Sequence, residues 1–155
     1  MSQKTTPKDA EIKAAVDWWA EQISGPQIMD NGDVLQSALG TLVATTIGHV
    51  NQDQINSFKE CLTTLLKEML DRAEERGAWI PEKPDWGSAM RSVHVDYGPD
   101  PVLSRAALEA GIGSHMLRFP WKTCMWINPG QVRVAKGYQA RAITIYGTPE
   151  PGERP

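Results

Sequence analysis

The hydrophobic spacing of this 155-residue chain changes near residue 91, from a helical repeat to strict alternation. A helix returns to the same face every 3.6 residues and a strand every second residue, so one segment cannot serve both. Before the switch, Ile12, Ala15, Val16, Trp19 and Ile23 make one helical stripe. Leu35, Ala38, Leu39, Leu42, Val43 and Ile47 make a second; Ile55, Phe58, Leu62, Leu65, Leu66, Met69 and Ala73 make a third. After it, Val93, Val95 and Tyr97 alternate with Ser92, His94 and Asp96. The expected fold is therefore α+β, in one folded unit. A three-helix bundle occupies residues 1–77, a Trp/Pro-rich connector 78–90, a β-α-β-β-β sheet unit 91–146, and a flexible tail 147–155.

Local signals punctuate that outline. Thr6-Pro7 ahead of Asp9 reads as a helix start, with Thr6 as the cap and Pro7 at the first helical position. Asn51 with Gln54 reads as a capping box, and Gly77 and Gly111 as helix stops, Ile112 following as the hydrophobic clasp. Asp100-Pro101 opens the short helix of the sheet unit. The later strands are expected at 123–127, 131–136 and 140–146, with turns at Asn128-Pro129-Gly130 and Lys136-Gly137. Trp18 falls beside the first apolar stripe and borders the core.

Polar residues dominate the N-terminus, and no apolar run approaches the roughly 20 residues of a membrane span. A cytoplasmic location and no membrane partner are expected. Cys61 and Cys124 belong to no CxxC pair and read as two buried free thiols. Net charge is −3, unevenly spread: residues 1–77 hold seven basic and twelve acidic residues, residues 78–155 nine and seven. Between Glu109 and Glu150 there is no acid, while Arg118, Lys122, Arg133, Lys136 and Arg141 all lie there. That stretch predicts a basic surface.

No P-loop, HExxH, GxSxG or paired CxxC occurs. Gly111-Ile112-Gly113 follows a helix and reads as a cap, and Asp30-Asn31-Gly32-Asp33 lacks calcium-loop spacing. His94 and Asp96 share a strand face, so His94, Asp96 and Tyr97 are the candidates for acid–base chemistry. The three histidines, His49, His94 and His115, are scattered, so neither a metal site nor a cofactor is expected. In the aromatic segment 119–127, alternation puts Lys122, Cys124 and Trp126 on one face and Thr123, Met125 and Ile127 on the other. The first face either seals the seam between bundle and sheet or forms a stacking platform edged by cations. On the platform reading the binding residues are Trp121, Lys122, Trp126, Arg133, Tyr138 and Arg141. Their partner is an acidic protein surface or a nucleotide-like anion. Ile143 with Ile145 would allow a homodimer if the second sheet face were apolar and uncovered.

Several segments resemble a family of small phage, prophage and mobile-element proteins. They are Trp18-Trp19-Ala20-Glu21, Asp30-Asn31-Gly32-Asp33, Val95-Asp96-Tyr97-Gly98-Pro99-Asp100, Phe119-Pro120-Trp121-Lys122-Thr123 with Met125-Trp126, and Gly137-Tyr138. The chain departs from that pattern at Gly98, where the family often has histidine, and at Arg141, where it has proline. The resemblance implies an accessory protein of a mobile element and carries over no functional residue. Together with the charge pattern it points to a non-enzymatic binder of a host or defence protein, or of an anionic ligand. A small enzyme built on His94, Asp96 and Tyr97 is the alternative. Metal chelators should leave the melting temperature unchanged; stoichiometric zinc or iron in purified protein would overturn that expectation.

Overall fold

The computed structural model describes residues 7–24, 50–113 and 115–153. The second apolar stripe, the Asp30–Asp33 turn and His49 lie outside the described residues. The described elements run α1 (Asp9–Ile23), α2 (Gln52–Glu75), a 3-10 turn (Ser88–Arg91) and β1 (Ser92–Val95). They continue with α3 (Pro101–Glu109), a second 3-10 turn (His115–Leu117), β2 (Thr123–Asn128), β3 (Gln131–Ala135) and β4 (Ile143–Tyr146). The strands form one antiparallel sheet in the order β1-β2-β3-β4. α1 packs on β2 and β3, α2 packs on α1, and α3 packs on α2. One hydrophobic cluster runs through helices and sheet alike. At its centre the Trp19 and Phe119 rings meet edge-on at 6.0 Å, and Phe58 lies 6.1 Å from Phe119.

The helix ends follow their side chains. Asn51 accepts from the Gln54 backbone N–H at 2.8 Å, and the Gln54 side chain accepts from the Asn51 N–H at 3.1 Å. Both halves of the capping box at the start of α2 are therefore present. Asp100 caps α3 by accepting from Val102 at 3.2 Å. α1 departs from expectation: it begins at Asp9 with Lys8 at the cap position, so Pro7 precedes the helix. The buried Lys8 ammonium reaches Asp71 at 3.2 Å and Glu74 at 2.9 Å, and lies 5.6 Å from the Trp79 ring centre. An ion pair between helices fixes this end of α1 where a hydroxyl cap was expected.

Two strand expectations are corrected. The alternation carrying Tyr97 inward stops at Val95, because the chain folds back with Asp96 N–H donating to Gly98 O at 3.1 Å. Tyr97 is thrown outward and is 60% exposed. β4 begins at Ile143, three residues later than expected; Gln139 has φ 54°, and the pairing with β3 slips between Val132 and Arg133. Such a break in register ends regular pairing and bends the strand.

The residue that ties the connector to the sheet is Arg91. It shares its parity with Val93 and Val95, so its side chain points inward and is 0% exposed. Its Nε donates to Ile127 O at 2.9 Å, and Nη1 to Ala78 O at 2.9 Å and Trp86 O at 3.1 Å. Nη2 donates to Pro84 O at 2.5 Å and to the Asn128 side chain at 2.9 Å. The guanidinium also lies 5.8 Å from the Trp79 ring centre. Burial pulls its pKa below the ordinary value, and nearby Asp85 works the other way. An ion removed from water is tolerated only when its donors are matched, and these carbonyls do the matching. Arg91→Met should strand those acceptors and cost about 3 kcal/mol or more. Urea denaturation measures it; a loss under about 1 kcal/mol would mean that the connector does not depend on Arg91.

Candidate functional site

Because the helices cover one side of the sheet, alternate residues face the other side. Val93, Val95, Thr123, Met125, Ile127, Val132 and Val134 are buried. The intervening register forms a row across all four strands: Ser92 opposite Trp126, Trp126 opposite Arg133, Arg133 opposite Thr144. Trp126 in this row is half-buried. Beside it lies a groove of about 230 Å³ lined by Asp85, Ser88, Trp126, Asn128, Arg133 and Ala142. Arg141, next in sequence to Ala142, is exposed.

The connector supplies the groove's second wall. Tight turns fold it, with Lys83 N–H donating to Ile80 O at 2.9 Å and Trp86 N–H to Lys83 O at 3.0 Å. Gly87 has φ +73°, and a Cβ there would lie 2.6 Å from the Ala78 Cβ. Only glycine permits that approach, and it swings the neighbouring Trp86 outward, 63% exposed, with Met90 38% exposed. Large apolar side chains left in water around a groove mark an interaction site.

The sequence candidates separate into two groups. Trp126 and Arg133 are cross-strand neighbours on the row just described. Trp121, Lys122 and Tyr138 gather at the other end of β2, about 13 Å along the strand, with Asp96 and Tyr97. There the Tyr97 and Trp121 rings meet edge-on at 5.8 Å, and the Lys122 ammonium lies 4.2 Å from the Tyr97 ring centre and 6.0 Å from that of Tyr138. Lys122 pairs with the Asp96 carboxylate, and its N–H donates to Asp96 O at 3.1 Å. Its hydrogen bond to Asp96 is the main influence holding its pKa above the usual lysine value.

The basic surface expected of the acid-free stretch is reduced: of its five cations Lys136 and Arg141 are exposed, and the other three are engaged. Arg118 is buried, donating to Ile23 O at 3.4 Å; Lys122 pairs with Asp96, and Arg133 with Glu153. Nor do His94, Asp96 and Tyr97 converge as a catalytic group. Asp96 is engaged by Lys122, and Asp100 caps α3 while accepting from the His94 backbone at 3.4 Å. Among the described residues no three His, Cys, Asp or Glu side chains come together as metal ligands. The two thiols are free and half-buried; burial, then Glu109, pushes Cys61 up to about 11, and burial raises Cys124. Neither is an activated nucleophile. The uncovered sheet face is mixed rather than apolar, since it carries Ser92, His94, Cys124, Trp126 and Arg133. Ile145 instead packs on the core and Ile143 is 55% exposed, so an apolar dimer face is absent among the described residues.

Sequence reasoning missed Asp85, Trp86, Ser88 and Met90. The available signals were the parity of Arg91 with Val93 and the Trp86-Gly87 pair, in which glycine sets the direction of a large indole.

The BTG family model matches residues 35–146. Human Tob1 is 30% identical over 114 residues, which cover 72% of this chain and 32% of Tob1; rat Tob1 is 31% identical over the same length. The chain thus spans about a third of the length of these Tob1 relatives. Human BTG2 is 27% identical over 116 residues, covering 72% of this chain and 70% of BTG2. A solved structure, the BTG/Tob domain of C. elegans FOG-3 in variant form, superposes with a TM-score of 0.63 at 18% identity, over 90% of both chains. These findings overturn the phage and mobile-element resemblance, and with it the counter-defence role: the relatives are animal proteins of a different family.

Trp126→Ala should cost less than about 2 kcal/mol, because part of its surface already meets water. Trp19→Ala should cost about 3–5 kcal/mol through the cavity it opens. Chemical denaturation of both variants decides; equal losses would place Trp126 in the core.

Proposed function

The chain belongs to the BTG family, and from that membership we propose that it acts as a non-enzymatic regulator by binding partner proteins. The docking face on this reading is the groove walled by the connector and the outer row of the sheet. The observation that carries it is the groove in which half-buried Trp126 and Arg133 meet Asp85 and Ser88 of the connector, the same connector that leaves Trp86 and Met90 exposed. Tryptophan and arginine dominate interface energetics, because each buries a large area while keeping a polar group for orientation. Here Trp126 and Arg133 stand side by side on rigid strands, with Trp86 held by the Arg91 anchor. Such a face is ordered before the partner arrives, which reduces the entropy lost on docking. Exposed Asp85 and half-buried Ser88 beside it suit a rim that fixes register. An acidic protein surface fits this face better than a nucleotide does, since the groove is shallow and offers one arginine and no glycine-rich phosphate loop.

Affinity capture from the source organism's own cells tests the reading. The native chain should retain a defined set of proteins. Trp86→Ala and Trp126→Ala should each weaken retention of that same set about thirtyfold, whereas Trp121→Ala at the far end of β2 should not. Retention unaffected by Trp86→Ala and Trp126→Ala, with both variants folded, would move the docking face elsewhere.

A further inference from the structure

The outer row ends in a group of donors that converge on one carboxylate. Glu153, in the segment after β4, accepts from the Thr144 N–H at 3.1 Å through Oε2, and from Thr144 Oγ1 at 3.1 Å through Oε1. Its Oε1 also accepts from Arg133 Nη2. Burial works to raise the Glu153 pKa, but the bonds from Arg133 and Thr144 prevail and hold it below the usual carboxylate range. A second tie lies alongside: Gln131 Nε2 donates to Thr148 O at 3.0 Å and to the Glu150 carboxylate at 3.1 Å. Residues 148–153, whose composition marks a loose tail, are thus fastened to the sheet at two points.

The occupancy is incomplete. Arg133 also donates through Nη2 to Ala142 O at 3.2 Å, yet its Nε is buried and meets no acceptor among the described residues. A buried donor without a partner is costly, and a guanidinium edge takes a carboxylate best by two parallel bonds. Glu153 uses one prong of that edge. The same Arg133 lines the groove beside Trp126.

We propose that Arg133 and Thr144 form a carboxylate-binding subsite of the docking face, that Glu153 is its tethered occupant, and that an acidic side chain of the partner displaces Glu153. The inference rests on the docking face proposed above and adds the chemistry of its ligand. The displacing carboxylate takes both Nε and Nη2 of Arg133, satisfying the donor Glu153 leaves unused. A tethered competitor acts at a high local concentration, so an acidic segment docks only when contacts at Trp126 and Trp86 add to its affinity. The face is thereby selective against acidic peptides that lack those contacts.

The probe is a synthetic peptide of residues 148–155, together with the same peptide carrying Gln for Glu153. Each is titrated into the full-length chain while the Trp126 indole N–H signal is followed by NMR. The Glu153→Ala chain should bind the native peptide, with a dissociation constant on the order of millimolar. The unaltered chain should bind it at least about tenfold more weakly, and the Gln peptide should lose a similar factor against Glu153→Ala. Adding Arg133→Gln to Glu153→Ala should abolish the response, and Glu153→Gln should repeat the result if Glu153→Ala lowers melting. Equal binding by the unaltered and Glu153→Ala chains, equal binding of the two peptides, or no binding by a folded Glu153→Ala chain would each overturn the proposal. Capture of partners through Trp86 is read without any change at Arg133, so the subsite and the docking face can fail separately.

Discussion

A single buried guanidinium holds the outer architecture of this protein together. Arg91 sits where the connector meets the sheet, and its acceptors come from both sides: Ala78, Pro84 and Trp86 from the connector, Ile127 and Asn128 from the end of β2. A proline-rich segment has few hydrogen bonds of its own to hold it, because each proline lacks an N–H. Its carbonyls still need donors, and one arginine supplies several of them in fixed planar geometry. The connector is thereby ordered without forming helix or strand. Trp79 packs beneath as part of the core, while Gly87 lets the chain turn past Ala78 and present Trp86 to water.

The proposed docking face depends on that anchor together with the asymmetry of the sheet. Helices on one side make the inner strand positions named above hydrophobic, Thr123 excepted. The outer side carries the mixed row Ser92, Trp126, Arg133 and Thr144. Had the strands slipped by one residue, Trp126 would have entered the core and Met125 left it. Register, set at the Asn128–Gly130 turn and by the buried Val132 and Val134, is therefore what exposes the site. The connector then brings Asp85 and Ser88 up to the same groove.

Much of the fold was legible because it is local. The capping box at Asn51, the cap at Asp100 and the glycine stops at Gly77 and Gly111 act within a few residues and are found where the sequence places them. The strand order was not legible, since pairing depends on contacts far apart in the chain. Tyr97 was misplaced for a related reason: alternation can be read and Gly98-Pro99 marks its end, but the fold-back begins at Asp96, ahead of that pair. Of the candidate site, Trp126 and Arg133 were identifiable from alternation and composition, and their adjacency was not. Trp86 and Met90 were hidden because an exposed aromatic in a connector has no periodic partner to reveal which way it points. The family was missed altogether, since short aromatic and turn phrases say less than a match sustained over a hundred residues.

Charge shows the same division between sequence and space. The stretch from Glu109 to Glu150 has no acid of its own, yet Lys122 and Arg133 each meet one supplied from outside it, Asp96 on one side and Glu153 on the other. The two pairs look alike as ion pairs and differ in their surroundings. Lys122 has its carboxylate and the ring of Tyr97 close by, with Tyr138 beyond, so its charge is answered on several sides and the arrangement is closed. Arg133 has a carboxylate on one prong, a carbonyl sharing that prong, and a buried Nε with no acceptor among the described residues, beside an open groove. A closed pair holds a turn in place. An arginine with an unused donor next to a groove is chemistry left available to a ligand, and that difference, invisible in composition, separates the closed cation from the one proposed to bind.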